Sequence, residues 1–543
     1  PTLIFITGLS LLVNKLIKHP FISWLILIIF LYFAYSYLTT PLHGMLDFRG
    51  SLLPDSFSTL VGFTHIEDNL LQRSTFLLLG ISFLFFAAPL TKRLAGTPGR
   101  KPYYFIPASL FLVFSLSLGY LYVEKFQTRL KNRIAYREAF LKYNEYPTSR
   151  VLSHDITYRP EGDKFSAISR MSIQNQRKVE MDQLLLFLNP RLKINKLESN
   201  GQNLPFHRDH QVIVIKRPVA PGENIELEIE YEGYIDEDIY QVNIPDDDFF
   251  APVIYTSYHE NYGKRSAFVS DEFTLLVPEV IWYPTAVFPV ELQASKEINF
   301  TDYTLHVKQT DKMTVLSQGE PMPKGDHITF NNVQNLTGLT LCIGKYEKRS
   351  ITVDSTTVEF YTYPGNDFYM KPLDTWEGMK AGSPGREKKL AKIANRCKDI
   401  IEEGQSTPYP FKYFKLIETP SSFLRGSRFS NNIQPEIAFF EERFSTTDHY
   451  KPGAPPRGLS DDINLQEYIL YQSMPSYLNL INIDHIFTDH IRHVTSDRYR
   501  GIDIIFNQIM SLKGSKSYNI MPQTLNDIAE KGLKESITGE YSL

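Results

Sequence analysis

The residues best suited to metal chemistry form one histidine cluster in the last part of the chain. The segment DHIFTDHIRH contains His485, His490 and His493, together with Asp484 and Asp489. His490 and His493 are three residues apart, so both imidazoles would lie on one side of a helix. Asp489 or His485 could add a third ligand, but no general base lies at the expected spacing. A metal site and a set of polar surface or interface residues both remain open, and the second is favoured.

Other catalytic patterns are incomplete. The chain's only His-Glu pair is His259-Glu260, and Gly263 occupies the position where a His-Glu-x-x-His zinc motif needs its second histidine. The sequence contains neither a Gly-x-x-x-x-Gly-Lys-Ser/Thr phosphate loop nor a Gly-x-Ser-x-Gly nucleophile motif. Cys342 and Cys397 are the only cysteines; they could form one bridge, although two free buried thiols are favoured. We therefore expect no catalytic residues, no resident metal and no other cofactor.

A long uncharged segment separates an apolar first part of the chain from a polar remainder. Residues 104–123 (YFIPASLFLVFSLSLGYLYV) contain no Asp, Glu, Lys, Arg or His, and such a run spans about 30 Å as a helix. Three further apolar runs precede it, at residues 2–13, 21–38 and 76–90. These patterns predict about four transmembrane helices within residues 1–125 and place the chain in a lipid bilayer. The apolar run begins at Pro1, so we expect the natural N-terminus to lie upstream.

The connectors between the apolar runs predict the orientation in the membrane. Connector 14–20 carries two lysines and connector 90–102 carries four basic residues. Short basic loops face the cytoplasm, so the residues after about 125 are expected on the opposite side. In a bacterium this places them in the periplasm, with the helices in the inner membrane. A formal net charge of -4 argues against a nucleic-acid partner.

The polar remainder changes its period twice. Residues 126–147 are charged with spaced apolar residues, a pattern typical of a solvated linker or stalk helix. Between residues 148 and 362, short alternating runs such as Ile225–Tyr231 and the turn signal Asn200-Gly201 predict a large antiparallel β-sandwich. Helical spacing returns at residues 385–403, where six apolar or small residues fall on one face. Residues 363–543 therefore form a separate, more helical region.

The order of these segments resembles the M1 family of zinc aminopeptidases. Sandwich strands ending in DYTLHVK and LSQGE precede an amphipathic helix, a Tyr-Pro-Phe strand (PYPFKYFKLIETP) and a strand ending in acidic residues (IAFFEER). Membrane helices that run into such a domain resemble bacterial ABC-2-type permeases fused to an M1-like domain. Over residues 150–443, the resemblance implies an M1-like N-terminal β-sandwich and then a thermolysin-like α/β to mostly helical catalytic-type domain. That second domain, residues 363–543, is expected to be degenerate and incomplete.

The resemblance also points to vestigial substrate-binding residues. The family's Gly-x-Met-Glu-Asn strand, whose Glu recognises a free amino terminus, corresponds to residues 428–432 (RFSNN). Asn432 matches the family Asn, whereas Asn431 replaces the Glu and cannot supply the charge that pairs with an ammonium group. Gln434 follows on the same predicted strand. Asn431, Asn432 and Gln434 are therefore the candidate binding residues of an inactive site.

Together these features predict a membrane subunit of a bacterial ABC-type transporter or envelope complex. Its periplasmic M1-like domain would bind or dock a peptide or protein without hydrolysing it. The expected partners are the lipid bilayer, a separate ATPase subunit and other envelope proteins. Two other functions remain open. The first is an active membrane-anchored zinc aminopeptidase whose zinc motif lies beyond Leu543 or is replaced by the histidine cluster, and the second is a purely structural spacer.

Overall fold

The structure is a computed structural model that describes most of the chain up to residue 442. The described residues are 1–17, 19–38, 41–50, 53, 57–91, 101–244, 265–289, 299–309, 313–332, 335–353, 356–364, 412–420, 422–423, 433–434 and 436–442. They divide into two compact units. The first contains the described residues of 1–58 and 62–135, and the second contains 59–61, 136–244 and the described residues from 265 onward.

Four α-helices contain the apolar runs of the sequence. They are α1 (Thr2–Leu16), α2 (Pro20–Tyr37), α3 (Ile66–Ala87) and α4 (Phe105–Tyr143). Within the described residues, α2, α3 with its extension to Leu90, and α4 are long and apolar enough to cross a membrane, whereas α1 is a shorter apolar helix. About four transmembrane helices were predicted. Three of the four helices are long enough to cross a bilayer, and α1 is shorter. A short hairpin of β1 (Phe57–Ser58) and β2 (Gly62–Phe63) precedes α3.

The helices of the first unit pack through small residues. A Cβ atom on Gly8 of α1 would lie 2.4 Å from the backbone oxygen of Gly80 on α3, so the two backbones touch. Ser82 and Ser115 each donate a hydrogen bond of 2.8 Å to a backbone carbonyl of the neighbouring helix, which joins α3 to α4. Small residues and hydroxyl hydrogen bonds are typical of helix contacts in lipid, where burial of apolar surface supplies little driving force.

Fourteen strands of the second unit form three sheets. They are β3 (Arg150–Glu161), β4 (Lys164–Gln174), β5 (Leu184–Phe187), β6 (Leu192–Ser199), β7 (Gln202–Asn203), β8 (Phe206–Asp209), β9 (Val212–Ile215), β10 (Asn224–Gly233), β11 (Thr274–Leu276), β12 (Asp302–Lys308), β13 (Thr314–Leu316), β14 (Glu320–Lys324), β15 (His327–Asn331) and β16 (Leu341–Gly344). The sheet orders are β14-β15-β12-β3-β4-β10-β6-β7, β5-β9-β8 and β11-β16-β13. The prediction of a wholly antiparallel sandwich is wrong at one place, because β12 pairs with β3 in parallel.

The local sequence signals account for several of these strands. Along β10, the apolar residues Ile225, Leu227, Ile229 and Tyr231 are buried and alternate with outward glutamates, as the period of two predicts. Asn200 and Gly201 have φ angles of 51° and 75° and form the turn between β6 and β7. Asparagine and glycine tolerate this left-handed conformation better than other residues, which explains the predicted hairpin.

The end of α4 belongs to the core of the second unit. Tyr136, Phe140 and Tyr143 are buried in one apolar cluster with residues of β5 and β9, including Phe187 and Val212. The sequence was interpreted as a separate, solvated stalk helix over residues 126–147, and this is wrong for its apolar face. The helix continues from the apolar run to Tyr143 without a break, and Tyr136, Phe140 and Tyr143 are core residues, whereas Ile134 and Leu141 are exposed.

A mixed five-stranded sheet follows in the second unit. Its strands are β17 (Glu347–Val353), β18 (Thr356–Thr362), β19 (Tyr413–Thr419), β20 (Ile433–Gln434) and β21 (Ile437–Glu441), in the order β17-β18-β19-β21-β20. β19 pairs in parallel with both β18 and β21, and the outer pairings are antiparallel. The predicted sandwich boundary at residue 362 therefore lies two strands too late, because β17 and β18 belong to this sheet. The helix predicted at 385–403 lies outside the described residues.

Candidate functional site

The strand β20 forms one edge of the five-stranded sheet. Ile433 and Gln434 pair with Ala438 and Ile437 of β21, and no strand within the described residues pairs with the other side of β20. An edge strand of this kind presents backbone N–H and C=O groups to any extended chain that approaches it. The edge therefore has the chemistry needed to add a peptide as a further strand.

The turn between β20 and β21 is held in a strained conformation by Glu436. This residue has φ of 64°, a left-handed value that costs a non-glycine residue about 1–2 kcal/mol. Its backbone oxygen accepts a hydrogen bond of 2.6 Å from the backbone N–H of Lys415. Its buried carboxylate accepts a hydrogen bond from the backbone N–H of Gly319. These contacts fix the turn, and with it the position of the edge strand.

Lys415 lies on β19 beneath this turn, and its side chain is 1% exposed. Its Nζ atom donates hydrogen bonds to the backbone oxygens of Ser317, at 2.6 Å, and Gly319. The same Nζ lies 3.8 Å from a carboxylate oxygen of Glu436. Two of the three ammonium donors make these hydrogen bonds, and the contact with Glu436 is an ion pair longer than a hydrogen bond.

Burial and mutual attraction act in opposite directions on this ion pair. Burial lowers the pKa of Lys415, while the Glu436 carboxylate opposes that change. Burial likewise raises the pKa of Glu436, while Lys415 opposes it. Removing either partner would leave a charged group buried alone, which costs about 3–5 kcal/mol in proteins. The two residues therefore depend on each other for burial.

Further carboxylates lie on the same sheet. Glu359 of β18 contacts the Lys348 ammonium and accepts a hydrogen bond of 2.8 Å from the Tyr361 hydroxyl. Burial and the Glu359 charge raise the pKa of Tyr361, so its phenol stays protonated and acts as a donor. Glu418 of β19 is fully buried and accepts the backbone N–H of Tyr363 at 2.7 Å. These acidic groups hold backbone and side-chain donors in place.

A polar cluster in the first unit ties α3 to α4. The Asp68 carboxylate lies 2.6 Å from the Lys125 ammonium and 3.4 Å from His65 Nδ1. Asp68 is buried, so its two partners stabilise a charge that would otherwise be costly at the end of an apolar helix. The cluster joins the helices and positions no residue of β20.

One predicted site residue lies on the β20 edge, and the others lie outside the described residues. Gln434 lies on β20, whereas Asn431 and Asn432, which precede it, lie outside the described residues, and the binding role of all three stays a prediction. The histidine cluster of His485, His490 and His493 also lies outside them. Among the residues that the structure describes, no group of three or more His, Cys, Asp or Glu side chains could hold a metal ion.

Lys415 and Glu436 were not identified from the sequence. A lysine inside the apolar strand YFKLIET was a usable signal, because a charged residue flanked by strand-forming residues is buried only when it has partners. The partner was not visible, since Gly319 and Glu436 lie far away in sequence and meet Lys415 only through the fold.

Comparison with known proteins gives similarity only at the level of fold. No family model matches the sequence, and no curated protein matches it. A crystal structure of an M1 zinc metallopeptidase point mutant from Deinococcus radiodurans is 13% identical over 50% of this chain and 57% of its own length, with a TM-score of 0.35. The same metallopeptidase without the mutation gives 13% identity, coverages of 50% and 56%, and a TM-score of 0.35.

A third solved structure is a mutant of this metallopeptidase bound to a Tyr-Ser-Ala substrate. It is 14% identical over 50% of this chain and 57% of its own length, with a TM-score of 0.35. The chain thus spans little more than half of the metallopeptidases it resembles. At this TM-score the similarity assigns no activity, so function must be argued from the chain's own residues.

Proposed function

We propose that the chain is a membrane subunit of a bacterial transporter or envelope complex whose M1-like region binds an extended peptide or protein segment. The observation that carries this proposal is the edge strand β20, which is held in place by the Glu436–Lys415 pair. An extended chain would pair with its backbone, and neighbouring side chains would supply selectivity. Binding of this kind requires no metal.

Two other sheet edges are protected against pairing. β14 is exposed along its whole length, and Pro321 and Pro323 remove two of its backbone donors. β17 begins with three charged residues, Glu347, Lys348 and Arg349, and charged residues on an edge discourage the approach of another strand. β20 contains neither proline nor a charged residue. β14 and β17 are therefore poorer acceptors than β20, whereas the edge strand β7 likewise carries neither proline nor a charged residue. What distinguishes β20 is the Glu436–Lys415 pair beside it.

Loss of peptidase chemistry follows from the residue replacements. Asn431 stands where the resemblance implies a glutamate, so the charge that would hold a substrate ammonium group is missing. The chain contains no His-Glu-x-x-His motif to bind zinc and activate water. The proposed domain therefore retains a scaffold that binds and lacks the groups that cleave.

The apolar helices support the proposed role as a membrane subunit. α2, α3 with its extension, and α4 can each cross a bilayer. The chain has no phosphate loop of its own, so energy for transport would come from a separate ATPase subunit. The basic connectors support the inner membrane as the location and the periplasm as the side of the M1-like region.

A pair of proline variants tests the binding edge. Successive residues of a strand direct their N–H groups to opposite sides, so Ile433→Pro and Gln434→Pro remove one donor toward β21 and one toward the open edge. The probe is a fluorescein-labelled peptide of alternating threonine and valine, which favours extended structure, and anisotropy is measured with the full chain in nanodiscs.

We expect the wild type to bind this peptide. The proline variant that removes the donor on the open side of β20 should bind it with an affinity at least about fivefold lower, as loss of one backbone hydrogen bond implies. A control peptide N-methylated at alternate residues should not bind. Equal affinity of both proline variants and the wild type would contradict binding at β20.

Metal content separates this proposal from an active aminopeptidase. Elemental analysis follows dialysis of the purified chain against a weak chelator, beside a His490→Ala/His493→Ala variant and a control variant of the exposed His207, His207→Ala. Absence of stoichiometric metal supports the binding function. About one zinc per chain, lost only in the double variant, together with release of amino acids from peptides, would favour the aminopeptidase.

A further inference from the structure

The five-stranded sheet is joined to the sandwich through the segment between β13 and β14. Ser317 and Gly319 of this segment supply the two carbonyl oxygens that accept hydrogen bonds from Lys415. Gly319 also supplies the N–H that Glu436 accepts. One short stretch of sandwich backbone therefore contacts both charged groups beneath the β20–β21 turn.

This stretch of backbone is itself fixed. Gly319 has φ of 83°, and a Cβ atom at this position would lie 2.4 Å from the backbone oxygen of Asn331 on β15. Glycine is therefore required, both for the left-handed backbone and for the close approach of β15. The carbonyl and N–H groups presented to Lys415 and Glu436 are held in one orientation.

Lys415 is unsuited to chemistry of its own. Its side chain is 1% exposed, two of its donors bond backbone carbonyls, and its charge is paired with Glu436. A nucleophilic or proton-transferring lysine needs access to its substrate. The contacts of Lys415 instead hold the turn that carries Glu436 in a fixed position relative to the Gly319 backbone.

We propose that Lys415 is a positioning residue that sets the geometry of the β20 edge for peptide binding by joining the β20–β21 turn to the β13–β14 segment. The inference rests on the function proposed above and adds how the edge is held ready. The Lys415 ammonium connects two backbone carbonyls of the β13–β14 segment with the Glu436 carboxylate, and no other described lysine contacts both Ser317 and Gly319. Without the ammonium group, the turn keeps the two backbone N–H bonds to Glu436 but loses the ion pair that joins its carboxylate to this segment.

Hydrogen exchange measured by mass spectrometry tests this role on the full chain in nanodiscs. Lys415→Met keeps the length and apolar stem of the side chain and removes the ammonium group. We expect the amides of β20, β21 and Gly319 to exchange at least tenfold faster, while those of β3 and β4 are unchanged. The matched control is Lys412→Met, because Lys412 is exposed, lies three residues earlier and pairs with Glu320 on the surface. It should leave all of these amides unchanged.

Two further variants guard against simple loss of folding. Glu436→Gln keeps the side-chain volume and an acceptor for the Gly319 N–H, so we expect a smaller increase in exchange. The double variant Lys415→Met/Glu436→Gln contains no buried unpaired charge and should exchange more slowly than Lys415→Met alone. Uniform acceleration of β3, β4, β20 and β21 in all three variants would overturn the positioning role and indicate a general loss of stability.

Peptide affinity completes the test with the threonine–valine probe. Local acceleration of exchange in Lys415→Met, together with weaker peptide binding, supports the proposal, and local acceleration with wild-type affinity contradicts it. If the wild type binds no peptide, the proposed function fails by itself. The exchange pattern then still decides whether Lys415 positions β20.

Discussion

Replacing His154 should remove an acid-sensitive element from the sandwich core. His154 lies on β3, is 1% exposed and has aromatic neighbours in Tyr283 and Tyr303, whose ring centroids are 5.5 and 5.7 Å away. Its Nε2 atom has no hydrogen-bond partner among the described residues. Burial lowers the pKa of His154 from 6.5 to about 3, so the folded protein keeps the imidazole neutral.

The sign and size of the effect follow from proton linkage. Because the pKa of the folded state is lower than that of the unfolded state, the unfolded chain binds more protons as pH falls below 6.5. Stability is therefore lost as pH falls from about 6.5 towards 3. With these two values, the loss between pH 7 and pH 5 is about 2 kcal/mol from this residue alone.

The comparison uses His154→Leu, which does not titrate, and His207→Leu as a control at an exposed position of β8. Urea unfolding is followed at pH 7 and pH 5 by tryptophan fluorescence, since buried Trp282 lies 4.8 Å from Tyr283 between ring centroids. The difference in unfolding free energy between the two pH values should be about 2 kcal/mol smaller in His154→Leu than in the wild type or His207→Leu. Equal differences in all three proteins would refute the assignment of a buried neutral imidazole.

Three further predictions concern packing, a turn and a thiol. Gly80→Ala should destabilise the helices by about 1–3 kcal/mol, because its Cβ would lie 2.6 Å from the backbone N of Phe5. Gly119→Ala should cost less, because its Cβ would meet only side chains, the flexible end of Met45 at 3.3 Å and Thr75 at 3.5 Å; equal melting temperatures in nanodiscs would contradict the close α1–α3 contact. Gly201→Ala should cost about 1–2 kcal/mol in urea unfolding because φ is 75°, and an unchanged midpoint would exclude that turn. Burial raises the pKa of the Cys342 thiol to about 12, so iodoacetamide at pH 8 should label it only after unfolding. Mass spectrometry separates this label from one on Cys397, and a label on Cys342 of the native protein would show that this thiol is accessible.

Local patterns carried much of the fold because their physical causes are local. The alternation of Ile225–Tyr231 and the Asn200-Gly201 turn depend on strand period and backbone conformation, and both predictions are confirmed. The apolar runs likewise predicted helices long enough for a bilayer, apart from the shorter α1. The stalk was misinterpreted because the sequence did not show that Tyr136 and Phe140 meet β5 and β9.

Sheet membership and the site depended on contacts between distant residues. β17 and β18 look like sandwich strands in sequence. Only the pairing of β18 with β19, some fifty residues later, assigns this pair of strands to the mixed sheet. Gln434 could be placed on a strand from its neighbours. Lys415 and Glu436 could not be paired from the sequence, because their contact requires the left-handed turn and the Gly319 backbone.

Photo-crosslinking with a threonine–valine peptide that carries a benzophenone tests the central claim most directly. The peptide is incubated with the full chain in nanodiscs and irradiated. Mass spectrometry then locates the crosslinks and determines the mass of the remaining free peptide. Binding at the β20 edge predicts crosslinks concentrated on β20 and β21, few on β14, and a free peptide of unchanged mass. Crosslinks spread over other surfaces, or a peptide shortened from its amino terminus, would contradict a non-hydrolytic binding edge.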